Sequence, residues 1–248
     1  MPTRSLTRIR LLRTEVRIVA RPGAWPRIHA TGGLAARHTA PDTVHLVGTA
    51  ATPVGGDHIE IVIEVESGAS LRLRTVAATL ALPGRLTRYS SAHWLFEIGE
   101  GGELDVDPEP TIVAGGAAHQ SVSTVRLAPD ARLYLRERVQ IGRINEDSGT
   151  WRGDLVADIG DVPLLRHRLD LGADTATDDC LSAPRALTSV LRYPDDDPAS
   201  TGALDTATLP LAAGGSLYTW TGSRLATRHD DHAPSARTPD TALRRAEV

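Results

Sequence analysis

The stretch Gly55–Thr79, GGDHIEIVIEVESGASLRLRTVAAT, decides the fold. Ile59, Ile61, Ile63 and Val65 alternate with His58, Glu60, Val62 and Glu64, and after Ser67-Gly68-Ala69 the alternation resumes with Leu71 and Leu73 against Arg72 and Arg74. Successive side chains of a strand point to opposite faces, so this period of two places the aliphatic residues on one buried face. Gly55-Gly56 before the first strand and Gly68 between the two supply the backbone freedom that turns need. Two half-buried strands joined by a tight reversal are the result.

Working outward, the same unit returns twice more. Ile63–Leu73, Phe96–Val106 and Val125–Leu135 each read as strand, tight turn, strand, with Gly68, Gly101 or Asp130 at the reversal, then Ala or Gly, then Leu two residues on. Units spaced by roughly thirty residues fit a layered or solenoid-like β architecture, in which each buries its apolar face against its neighbours. The pattern alone fits an ordinary sandwich of hairpins as well. A further strand pair is expected between Leu155 and Leu171, turning at Ile159-Gly160-Asp161-Val162-Pro163.

Beyond Leu171 the pattern weakens. Gly172–Asp179 reads as a polar loop. Residues 186–193 suit either a strand, favoured by β-branched content, or a short helix capped by Ser182 with Pro184 in its first turn. Pro194–Ala203 is a breaker-rich loop, Leu209–Trp220 reads as ordered, and residues 227–248, rich in Asp, Arg, Ala and Pro, read as a disordered tail behind a single domain over residues 1–226.

Composition narrows the function. An apolar fraction of 41% over 248 residues suffices for a globular core, and a formal charge of -4 gives no basic excess for nucleic acid or an anionic membrane. The one cysteine, Cys180, forms no disulfide within the chain and is expected to pack. Arg interrupts every apolar run of the N-terminal segment, which therefore lacks the unbroken hydrophobic stretch of a secretory signal, so a cytoplasmic location is expected. The chain has no Lys, so its fixed positive charges are all Arg. No nucleophile elbow, zinc-peptidase helix, P-loop or dinucleotide fingerprint occurs, and the Gly pairs lack the following helix that a phosphate site requires. No enzymatic activity is expected.

Four carboxylates invite closer reading. Asp57, beside His58, is either a contact for a borderline divalent metal or a turn carboxylate that accepts backbone hydrogen bonds. Glu109 is held between Pro108 and Pro110, Glu137 sits in the dense run Arg136-Glu137-Arg138 where an ion pair is the plain reading, and Glu146 follows Gly142-Arg143. His229-Asp230-Asp231-His232 imitates a metal-ligand cluster but reads as a solvated run of the tail, and Trp94, Phe96, Trp151 and Trp220 read as packing residues.

Several blocks resemble the UreD (UreH) family of urease accessory proteins: Gly55-Gly56-Asp57, Gly68-Ala69, Thr75 with Ala77-Ala78-Thr79, Pro108-Glu109-Pro110-Thr111-Ile112, and Glu137 with Ile141-Gly142-Arg143, followed by Glu146, Gly149 and Trp151. They fall in order over residues 30 to 175, in the short, Arg-rich form of an actinobacterial branch. Leu80-Ala81-Leu82-Pro83-Gly84 replaces the family's Lys-Val-Tyr, and Arg136 its commonly aromatic residue. The resemblance implies a mostly β, distorted β-helical protein with little helix. It also implies a non-catalytic scaffold that bridges urease apoprotein to a UreF-type partner and, through it, a UreG-type GTPase. Nickel would pass through an internal tunnel, with Asp57, Glu137, Glu109 and Glu146 as candidate transient ligands and no tightly bound cofactor. Oxygen ligands that exchange readily suit such transit. Two other classes compete. A free-standing β-solenoid or sandwich binding module predicts an aromatic-lined face, against which the aromatic content of 4% counts, and a metal-dependent hydrolase needs convergent ligands.

Overall fold

The computed structural model describes residues 12–146, 148–180, 183–194, 200–203 and 205–225; the tail from residue 227, with His229 and His232, and the side chain of Cys180 lie outside the description. In chain order the strands are β1 (Arg13–Arg21), β2 (Ala24–Thr31), β3 (Leu34–Ala40), β4 (Thr43–Gly48), β5 (His58–Val65), β6 (Ser70–Thr75), β7 (Thr79–Ala81), β8 (Tyr89–Ile98) and β9 (Glu103–Val106). They continue as β10 (Thr111–Val113), β11 (Ala118–Leu127), β12 (Arg132–Ile141), β13 (Thr150–Ile159), β14 (Val162–Gly172), β15 (Ala186–Tyr193), β16 (Ser200–Ala203), β17 (Thr206–Pro210) and β18 (Ser216–Gly222). A single helical turn, α1 (Ala176–Cys180), precedes β15.

Two sheets face each other. One has seven strands in the order β14-β13-β11-β8-β5-β1-β2; the other has eleven, with β16-β17-β18-β15-β12-β9-β6-β4-β3 as its path and β7 and β10 beside it. β5, β8 and β11 run parallel in the first sheet, and β6, β9 and β12 run parallel in the second. Parallel neighbours cannot be joined by a hairpin. Here the connection is the strand in the opposite sheet, so the chain winds through three rungs of a flattened solenoid.

The rungs stack residue on residue, as the spacing of the units predicts. Ile63 pairs with Phe96 and Phe96 with Val125 in one sheet, while Leu71 pairs with Leu104 and Leu104 with Leu133 in the other. All six are buried in one cluster. Each corner closes in the same way, with Ala69 N donating to Glu66 O (2.9 Å), Gly102 N to Gly99 O (2.9 Å) and Ala131 N to Ala128 O (3.0 Å). Gly68 and Gly101 take positive φ of 69° and 59° at these corners, where a Cβ is disfavoured, and Asp130 occupies the third. This answers the choice between solenoid and hairpin sandwich: the centre is a layered solenoid, flanked by antiparallel strands at both ends.

Polar residues alternating with the core line the outer face of the first sheet and pair across strands, as in Arg13–Glu60 (3.1 Å), Arg126–Glu97 (2.6 Å) and Arg17–Glu64. Each exposed pair is worth at most about 1 kcal/mol, so they satisfy register and solubility more than stability.

Three details refine the reading past Leu171. β15 is a strand, paired antiparallel with β12 and β18. The expected loop over Gly172–Asp179 contains the start of α1, held by Thr175 Oγ1 donating to Gly172 O (2.8 Å) and Asp178 N donating to Thr175 O (3.0 Å); one turn is too short to show a helical period. The expected loop over Pro194–Ala203 ends in β16, whose four small residues carry no alternating apolar signal and owe their strand to pairing with β17. Among the described residues no helix is long and apolar enough to cross a membrane.

Candidate functional site

The site begins with a break in the second sheet. β9 pairs with β12 as far as Val106 opposite Leu135, and β10 resumes at Thr111 opposite Val139. Between them Asp107-Pro108-Glu109-Pro110 faces Arg136-Glu137-Arg138, unequal lengths with two prolines that have no N–H to give, so the ladder cannot run through. Two buried guanidinium groups bridge the break instead. Arg138 Nη2 donates to Pro108 O (2.8 Å) and lies 3.4 Å from Asp107 Oδ1 and 3.8 Å from Glu109 Oε2, while Arg136 Nη1 lies 3.8 Å from Asp107 Oδ2.

Behind this break, between the sheets, lies a cavity of about 400 Å³. It falls where the apolar core divides in two. Along the inward row of β12, Leu133 and Leu135 belong to the large cluster and Val139 and Ile141 to a smaller one, with Glu137 between. On β15, directly across the ladder, Leu191 and Leu187 belong to those same clusters with Ser189 between, and Ser189 is the register partner of Glu137. The inward row of β11 changes from Leu127 and Val125 to Ser123, Ser121 and His119 on reaching the same level. Ser121 Oγ donates to Glu137 Oε1 at 2.8 Å, which ties the two sheets together inside the molecule.

Burial sets the charge of this belt. Removal from water pushes the Glu137 carboxyl up to about 7, and the Ser121 hydrogen bond holds it back from rising further. Glu137 is half-buried and lines the cavity. Burial lowers His119 to about 4, so at neutral pH it is a neutral imidazole, with Nδ1 at 2.9 Å from Ser90 Oγ. The cavity thus holds an uncharged nitrogen donor and a carboxylic group close to its midpoint at neutral pH. An oxygen ligand of that kind can exchange a proton for a cation at small cost.

The structure brings two of the four candidate carboxylates to this place. Glu137 and Glu109 line the cavity. Asp57 does not line it; it is buried behind the lining residue Thr52, accepting from Leu12 N (3.1 Å), Val54 N (2.9 Å) and Thr52 Oγ1 (3.0 Å), the hydrogen-bonding pattern of a turn carboxylate. Gly55 beside it has no room for a side chain, since a Cβ there would come within 1.9 Å of Thr87 O. Glu146 also lies away from the cavity, accepting from Gly115 N (2.9 Å) and from the Arg143 backbone and guanidinium, which lower its pKa to about 2. Among the described residues no group of three or more His, Cys, Asp or Glu side chains converges to hold a metal ion. His119, Ser121 and Ser189 were not singled out by sequence reasoning. The signal was parity: His119 and Ser121 share the phase of Val125 and Leu127, which marks polar residues on an inward face.

The described residues form a two-sheet solenoid with a cavity between the sheets that is polar at one level. The comparison with known proteins supplies the class. The family described as UreD urease accessory protein matches residues 29–228. The chain is 38% identical over 190 residues to urease accessory protein UreD 1 of Saccharopolyspora erythraea, a match covering 75% of this chain and 74% of that protein. It is 43% identical over 187 residues to UreD of Frankia alni, covering 66% and 63%, and 37% identical over 170 residues to UreD of Streptomyces coelicolor, covering 65% and 67%. The chain belongs to the UreD family, and as a member it is an accessory protein of the urease system and not an enzyme.

Proposed function

We propose that this protein is a cytoplasmic scaffold of urease maturation that binds urease apoprotein and a UreF-type partner, reaches a UreG-type GTPase through that partner, and gives nickel a path toward the urease active site. The observation that supports the path is the cavity with Glu137 on its wall, tied to Ser121 and reached behind the broken ladder at Pro108–Pro110. An ion in transit needs ligands that take it up and let it go, and an isolated carboxylate with serine hydroxyls around it offers weak, replaceable oxygen ligation. Burial of a bare divalent ion in an apolar passage would be prohibitive without such a group. Glu109, at the edge of the same cavity, is the second oxygen station. Asp57 and Glu146 support the path indirectly, by fixing the loops they hydrogen-bond.

The test is activation of urease in cells co-expressing the urease subunits and accessory proteins with Glu137→Gln or Glu109→Gln. A nickel analysis of the purified urease accompanies a pull-down of the assembly. The expected result is intact assembly with urease and the UreF-type partner and lowered nickel content. Full nickel loading in both single variants and in the double variant would refute the path while leaving the scaffold role standing.

A further inference from the structure

We infer that His119 is the nitrogen donor of the cavity and gives it preference for a borderline divalent cation over hard cations. This deepens the nickel path proposed above and rests on it.

His119 is buried on the inward row of β11 and borders the same cavity as Glu137. Its Nδ1 is engaged with Ser90 Oγ at 2.9 Å, and Ser90 lies beside it on β8 as its register partner. Among the described residues Nε2 makes no hydrogen bond, and the residue lines the cavity. A histidine that ligates a metal through one ring nitrogen characteristically gives its other N–H to a neighbouring oxygen, which fixes both tautomer and ring direction. Ser90 is positioned to do this, leaving the Nε2 lone pair for a cation. On the same strand face, two residues further on and so roughly 7 Å away at Cα, Ser121 holds Glu137 Oε1 at 2.8 Å, which leaves Oε2 as the oxygen donor.

The two donors are therefore neighbouring stations of one cavity, a neutral nitrogen and a carboxylate oxygen, with the Ser123 and Ser189 hydroxyls on the same lining. Oxygen-only sites suit magnesium, calcium and manganese, whereas an imidazole raises affinity for nickel, cobalt, copper and zinc. With a single imidazole and a single carboxylate as donors among the described residues, the ion keeps water in its shell and is released readily.

The experiment uses the full-length chain and variants His119→Gln, Ser90→Ala and Glu137→Gln, with Ni2+ alone and Mn2+ alone as probes in equilibrium dialysis. Wild type is expected to prefer Ni2+, and His119→Gln to lose Ni2+ affinity by about tenfold or more while Mn2+ binding stays within about twofold; Ser90→Ala is expected to lose part of the preference, as for other outer partners of metal-bound histidine. Addition of Ni2+ to wild-type protein should also broaden the imidazole resonances of His119 in an NMR titration, a readout that needs no variant to fold. If Ni2+ binding falls in Glu137→Gln but not in His119→Gln or Ser90→Ala, and the His119 resonances stay sharp, the inference is overturned and the path stands on oxygen donors alone. If Ni2+ binds wild type and all three variants equally, or binds none of them, both the inference and the nickel path fall.

Discussion

Replacing Glu137 by Gln should change the pH dependence of stability in a way that reports directly on the cavity. The folded protein holds the Glu137 proton more tightly than the unfolded chain, since burial raises the carboxyl from an ordinary value of 4.5 to about 7. The stabilising contribution of the neutral acid is therefore full below pH 4.5 and is lost as pH rises through about 7. At about 1.4 kcal/mol per pH unit, that interval corresponds to roughly 3 kcal/mol, and water in the cavity reduces it. Gln has the same shape, stays neutral and can accept the Ser121 hydrogen bond, so it lacks this loss. Urea unfolding of wild type and Glu137→Gln, followed by tryptophan fluorescence, should give stabilities within about 1 kcal/mol of each other at pH 5, with the gap widening as pH rises. At pH 8 the variant should be the more stable by about 1 to 3 kcal/mol. Other titrating groups cancel in the difference. An unchanged difference between pH 5 and pH 8, or a variant destabilised at both, would refute the assignment of Glu137 as a buried carboxyl near its midpoint.

Leu71→Ala or Leu133→Ala, two rungs apart with Leu104 between them, should each cost about 2 to 5 kcal/mol in the same assay, as large-to-small changes in a packed core do; a cost under about 1 kcal/mol would contradict the stacked core. Asp57→Ala strands three donors, two of them backbone N–H groups, and should lower stability by about 1 to 3 kcal/mol and reduce assembly and urease activation together. Retained assembly with selective loss of nickel would instead return Asp57 to the path.

The sequence by itself determined the rungs. Alternation is a local consequence of strand geometry, and units that repeat the same offset from strand to corner to strand can stack only with like residues paired, so Ile63, Phe96 and Val125, and likewise Leu71, Leu104 and Leu133, were legible as columns. The family blocks were equally legible, because motifs are local strings. Short or weakly patterned pieces such as α1 and β16 were not legible, since four or five residues carry no usable period and their structure comes from partners distant in the chain.

Only the tertiary structure separated the four carboxylates. Asp57 and Glu137 each sit inside a family block, and nothing local tells a loop-holding carboxylate from a cavity wall. That distinction depends on what stands opposite. Glu137 faces a cavity because Ser189 across the ladder and Ser121 in the other sheet fall at its level, and because two prolines interrupt the neighbouring strand there. His119 joins them for the same reason. A cavity is made where rows from separate strands all turn polar or small at one height, and that height is fixed by long-range register and the packing of two sheets, which no window of sequence contains.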